Sequence, residues 1–138
     1  MMSSNYKSEV ILLVADDDQM RKLCSDALIQ NGYTVFDAPD GLEALLLTTE
    51  HTDIDLLLTD VAMPGMSGPE LAQAIRISQP DILVLYMPGS EPETVTPRLR
   101  EREAFIPKPF EPEELVSKVR QLLDSYRKGN VFGSGGWA

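Results

Sequence analysis

The sequence predicts an α/β fold built on a five-stranded parallel sheet, and three observations lead there. Short apolar runs alternate with amphipathic stretches along the 138 residues. The runs are continuously apolar rather than alternating, as in strands covered on both faces. Each is followed by a turn that opens a helical pattern, the rhythm that produces right-handed crossovers and parallel pairing.

Val10 to Ala15 is the first such run. Met20, Leu23, Cys24, Ala27 and Leu28 then recur at helical spacing and stop at Asn31-Gly32, where glycine suits a helix end. Tyr33 to Ala38 is a shorter, half-polar strand suited to a sheet edge. Asp40 is a candidate N-cap for a helix over Gly41 to Thr49, with Leu42, Ala44, Leu45 and Leu46 as its apolar side. The central strand covers 54–59 and leads into Asp60.

Ser67 or Gly68 opens the third helix, with Pro69 near its first position, and Leu71, Ala72 and Ile75 carry it to Gln79-Pro80. Ile82 to Met87 is the fourth strand. Between Pro88 and Glu103, Ser90 can cap a helix that Pro97 would interrupt, so a short, broken or mobile helix is expected. Ala104 to Pro107 is a brief fifth strand. The final helix spans Pro112 to Arg127, with Glu111, Glu113 and Glu114 at its positive end and Leu115, Val116, Val119, Leu122, Leu123 and Tyr126 as its buried stripe. These elements fit a doubly wound, flavodoxin-like (βα)5 domain of strand order 2-1-3-4-5, whose ligand crevice lies beyond strands 1 and 3. The domain is expected over 9–127, with a disordered tail over 1–8 and a flexible Gly-rich tail or linker over 128–138.

Composition narrows the function. A chain of this length buries roughly two-thirds of its unfolded surface without disulfides. The single cysteine, Cys24, falls on an apolar stripe and is expected as a buried core thiol, while His51 is expected exposed in a polar loop. A formal charge of −10 without a Lys/Arg cluster argues against direct nucleic-acid or anionic-membrane binding. No apolar run reaches the ~20 residues of a membrane span, and the polar start lacks the apolar core of a secretory signal, so a cytoplasmic location is expected.

Three charged elements converge on the crevice. Strand 1 ends in Asp16-Asp17-Asp18, strand 3 in Asp60, and strand 5 beside Lys108. Clustered carboxylates repel one another and call for a hard cation, Mg²⁺ before zinc because neither thiolate nor imidazole is expected nearby. An ionised Asp can also accept a phosphoryl group, a reaction that needs charge neutralisation more than acid–base chemistry.

These residues carry a resemblance that covers about Glu9 to Tyr126. Ile11-Leu12-Leu13-Val14-Ala15-Asp16-Asp17, the run Asp60-Val61-Ala62-Met63-Pro64-Gly65-Met66-Ser67-Gly68, and Ile106-Pro107-Lys108-Pro109-Phe110 resemble the receiver domain of two-component response regulators. Val84-Leu85-Tyr86-Met87-Pro88-Gly89 is similar to receivers attached to hybrid sensor kinases. The resemblance implies that Asp60 is the phosphoacceptor of a signalling domain rather than of an enzyme. It further implies Mg²⁺ ligation by Asp16, Asp60 and the Ala62 carbonyl, a phosphoryl contact from Lys108, a Lys108-Pro109 peptide open to the cis form, and Phe105 as the aromatic switch. The implied partners are a sensor histidine kinase or phosphotransfer protein, and a downstream protein or domain read through the face of the fourth helix, fifth strand and final helix. A weak homodimer is compatible with the same face.

Two positions depart from the family pattern. Ala15 stands where the first of the paired acids belongs, leaving Asp17 as a substitute ligand only if the strand end slips by one residue. Pro88 stands where the family has a Ser or Thr, leaving Ser90 as a possible substitute hydroxyl. The alternative function is therefore a protein-interaction module of receiver fold whose switching is weakened or independent of phosphate. A haloacid-dehalogenase-type phosphatase is disfavoured because its general acid would fall at Ala62. An FMN-binding flavodoxin is disfavoured because aspartates replace the phosphate loop after strand 1.

Overall fold

The apolar runs become the buried strands of one sheet. The computed structural model describes residues 8–89 and 99–126; the expectations placed on 1–7, on Ser90 and the prolines at 92 and 97, and on 127–138 lie outside the described residues. The strands are β1 (Val10–Val14), β2 (Thr34–Ala38), β3 (Leu56–Asp60), β4 (Leu83–Met87) and β5 (Glu103–Phe105), and the helices are α1 (Asp18–Gln30), α2 (Gly41–Glu50), α3 (Gly68–Ser78) and α4 (Pro112–Ser125). The sheet order is β2-β1-β3-β4-β5, every pair parallel. Parallel pairing brings the carboxyl ends of β1, β3 and β4 together on one rim.

Strand pleating sorts each run into two cores. Ile11, Leu13, Leu58 and Leu85 face Cys24 and Leu28 of α1 and Leu115 and Val119 of α4. Leu12, Val14, Leu57 and Val84 face Ala44 of α2 and Leu71, Ala72 and Ile75 of α3. The helix starts follow the local sequence. Asp17 and Asp40 accept N–H groups of the first turns of α1 and α2, and Ser67 and Glu70 cap each other reciprocally at α3. Gly32, at φ 95, allows the chain to leave α1 in the left-handed conformation.

Several expected core positions are on the surface. Leu23 is 52% exposed, because α1 touches the sheet along Cys24 and Leu28 and Leu23 is turned about 100° from that line. Leu42 and Leu46 are exposed for the same kind of reason: each lies two residues from Ala44, about 200° around the helix from the side that α2 buries. Leu47, which the stripe did not include, packs partly against the core instead. Tyr126 lies just past α4, its ring 5.0 Å from the Arg102 guanidinium and its hydroxyl accepting the Arg102 N–H at 3.3 Å. His51 is half-buried rather than exposed, stacked on Phe36 with ring centroids 3.8 Å apart.

Candidate functional site

Asp60 is the last residue of β3, and its placement on the rim is what builds the site. It is 2% exposed, in a strand whose neighbours are all apolar or, at Thr59, internally satisfied. Thr59 donates its hydroxyl to the Asp60 carbonyl at 2.9 Å. The same carbonyl is approached so closely by Gly68, at the start of α3, that any Cβ there would collide with it. Gly68 in turn donates its N–H to the Val61 carbonyl at 2.8 Å, so the turn after β3 folds back tightly on the acid.

Among the described residues the Asp60 carboxylate has two donors. Lys108 Nζ donates to Oδ1 at 3.0 Å, and the backbone N–H of Asp16 donates to Oδ2 at 3.2 Å. Burial pushes the carboxyl above the ordinary carboxylate range, and Lys108 and the Asp16 N–H oppose that rise without cancelling it. The Asp16 carboxyl also faces Asp60 and adds to the rise. The two acids and the lysine that the sequence selected are therefore brought together.

The remaining candidates divide. Asp16 is exposed at the mouth, and Ala62 is exposed two residues beyond Asp60. Asp17 is occupied elsewhere, since its carboxylate accepts the N–H of Gln19 at 2.9 Å and of Met20 at 3.3 Å as the cap of α1. Among the described residues no group of three acidic, His or Cys side chains is arranged to hold a metal. Asp16, Asp60 and a backbone carbonyl nevertheless make an all-oxygen donor set, and one or two carboxylates with water and phosphate oxygens are what Mg²⁺ usually takes. Cys24 lies closer to the site than expected, near enough to feel Asp60 and Lys108, but burial pushes its thiol up to about 11 and keeps it protonated.

Pro88 is buried, and its carbonyl accepts the Lys108 N–H at 2.8 Å, so the residue without a hydroxyl still anchors the backbone that carries the lysine. The Lys108-Pro109 peptide is cis. Phe105 is half-buried and tilted against Tyr86, centroids 6.2 Å apart. Two residues that the sequence places nearby, Gly68 at a helix start and Arg21 beyond the paired acids, were not read as part of the site. Gly68 carried a signal, a glycine where a helix prefers other residues. Arg21, whose Nη1 donates to the Ala15 carbonyl at 2.7 Å, carried none that separates it from a surface charge.

Known proteins resemble this chain in sequence and in fold. The profile of the response regulator receiver domain matches residues 11–120. The chain belongs to that family. Its receiver domain is 35% identical over 120 residues to Sensor kinase CckA of Brucella abortus (strain 2308), covering 85% of this chain and 13% of that protein. It is 38% identical over 114 residues to the Transcriptional regulatory protein CpxR of Escherichia coli (strain K12), covering 82% and 48% respectively. The chain thus spans half or less of these relatives. Among solved structures, the receiver domain of the hybrid histidine kinase CckA matches with a TM-score of 0.72 at 36% identity, over 83% of this chain and 98% of that one. Vibrio cholerae chemotaxis protein CheY4 matches at 0.73 with 28% identity, over 85% and 100%. This receiver is a signalling module of two-component systems, and none of its described helices is long and apolar enough to cross a membrane.

Proposed function

We propose that this receiver accepts a phosphoryl group on Asp60, from the phosphohistidine of a sensor kinase or phosphotransfer protein, in a Mg²⁺-dependent reaction. The observation that carries the reading is a carboxylate 2% exposed, with one oxygen 3.0 Å from a lysine ammonium and the Asp16 acid facing it from the turn after β1. A cap or a solvated turn residue needs neither the burial nor the cation.

In this reading an Asp60 oxygen attacks phosphorus while the bond from phosphorus to the donor's nitrogen or oxygen breaks, and the leaving group takes the electron pair. Lys108 meets the charge that arrives on the phosphoryl oxygens. Asp16, Asp60 and the Ala62 carbonyl would hold Mg²⁺, which supplies charge neutralisation at the transferring group. The chain itself contributes a buried, oriented nucleophile. Output passes to a partner through the surface of β5 and α4, and autodephosphorylation ends the state when water attacks phosphorus, the bond from phosphorus to the Asp60 oxygen breaks, and inorganic phosphate leaves the restored carboxylate.

Pro88 favours a second reading, an interaction module whose output no longer tracks phosphate, because proline brings no hydroxyl to the position where the family has Ser or Thr. One experiment separates the two. Intact mass after incubation with acetyl phosphate and Mg²⁺ should rise by one phosphoryl group, and Asp60→Asn should stay unmodified. An unlabelled wild type, under conditions that label ordinary receivers, would leave the second reading in possession.

A further inference from the structure

One peptide group connects Arg21 to the nucleophile. The Ala15 carbonyl accepts Nη1 of Arg21 at 2.7 Å, and the N–H of that same peptide, on Asp16, donates to Oδ2 of Asp60 at 3.2 Å. Nη2 of the guanidinium donates to Asp18 Oδ1 at 2.7 Å, and Nε is 3.6 Å from Asp37 Oδ2. The arginine side chain is 17% exposed, against 87% for Asp18 and 47% for Asp37. The guanidinium is therefore packed over the top of β1, between the first turn of α1 and the end of β2, and its acids reach it from solvent.

Peptide planarity makes this contact directional. With the carbonyl held by one charged donor, the N–H on the opposite side of the plane points toward the Asp60 carboxylate. A cationic donor on the carbonyl also polarises the peptide and strengthens its N–H as a donor. We propose that Arg21 is a positioning residue for phosphoryl acceptance: through the Ala15-Asp16 peptide it fixes one oxygen of Asp60 while Lys108 holds the other. The proposal rests on Asp60 being the phosphoacceptor. When one carboxylate oxygen bonds to phosphorus the other becomes an acyl carbonyl, and a fixed N–H donor keeps the carboxyl plane in register throughout. The Ala15 side chain takes no part, so the device works without a first acid.

The amide proton of Asp16, followed by NMR in the unphosphorylated full chain, tests the contact directly. R21M should move that resonance upfield and speed its exchange about tenfold, with other core amides and the melting temperature unchanged, and should slow labelling by acetyl phosphate at saturating Mg²⁺ about tenfold, the usual scale for an outer partner of such a site. R21K, which keeps the charge on a single donor nitrogen, should restore part of both, and it carries the comparison if R21M fails to fold. A labelled wild type whose Asp16 amide is unmoved in the Arg21 variants overturns this proposal alone. So does equal slowing in R21M and R21K with the amide unchanged, which would make Arg21 a dispensable contact to that peptide. A wild type that takes no label overturns the phosphoacceptor reading and this proposal with it.

Discussion

Lys108 Nζ lies 3.0 Å from Oδ1 of Asp60, yet the two ions are not equally placed: the lysine side chain is 30% exposed and the aspartate 4%. Water solvates the cation and not the anion. The pair is thus an acid held at a desolvation cost beside a base that keeps much of its hydration.

This asymmetry predicts that removing the charge stabilises the resting domain. Because the folded carboxyl binds its proton more tightly than the unfolded one, Asp60 takes stability away as pH rises from the ordinary 3.8 through its folded value. Without Mg²⁺, Asp60→Asn should be more stable than wild type at pH 7, read as a higher melting temperature. The gap should close below pH 3.8. A variant less stable at pH 7 would show that the ion pair outweighs the burial.

Lys108→Ala should still be labelled by acetyl phosphate, but more slowly, on the order of a hundred- to a thousandfold. Its backbone anchor to Pro88 does not involve the side chain, so the loop should keep its shape. The urea midpoint of the variant should fall at pH 7, because the buried Asp60 carboxylate loses the cation that offsets its burial, and should recover once Asp60 is protonated.

Gly68→Ala should destabilise the domain by about 1–3 kcal/mol through overpacking, because the new methyl meets the Asp60 carbonyl, a backbone atom that cannot swing away. Chemical denaturation measures it. A neutral result would mean that the turn after β3 moves freely with respect to the acid.

Cys24 should resist thiol reagents at pH 8 in the native chain and react once the chain is unfolded. It is 2% exposed, and burial keeps its thiol protonated at about 11. Fast native labelling would show that α1 opens from the sheet.

The sheet and its order were legible because continuous apolar runs alternating with amphipathic ones admit few other folds, and strand ends in a parallel sheet share one rim. Asp16, Asp60 and Lys108 were legible for the same reason, since each follows such a run. Helix faces were read less well. A run of leucines such as Leu42, Leu45, Leu46 and Leu47 marks an apolar helix without saying which side meets the sheet, and the packing of Ala44 decided it.

The sequence by itself determined the elements, their order and the acids and lysine placed at the strand ends, because periodicity and turn chemistry act over a few residues. Tertiary structure alone decided what those groups are to each other. Burial of Asp60, the pairing of its two oxygens with Lys108 and the Asp16 N–H, the use of Asp17 as a cap and the reach of Arg21 to the Ala15 carbonyl all depend on distances between segments far apart in the chain. Desolvation and hydrogen-bond direction are set by those distances, and no local pattern encodes them.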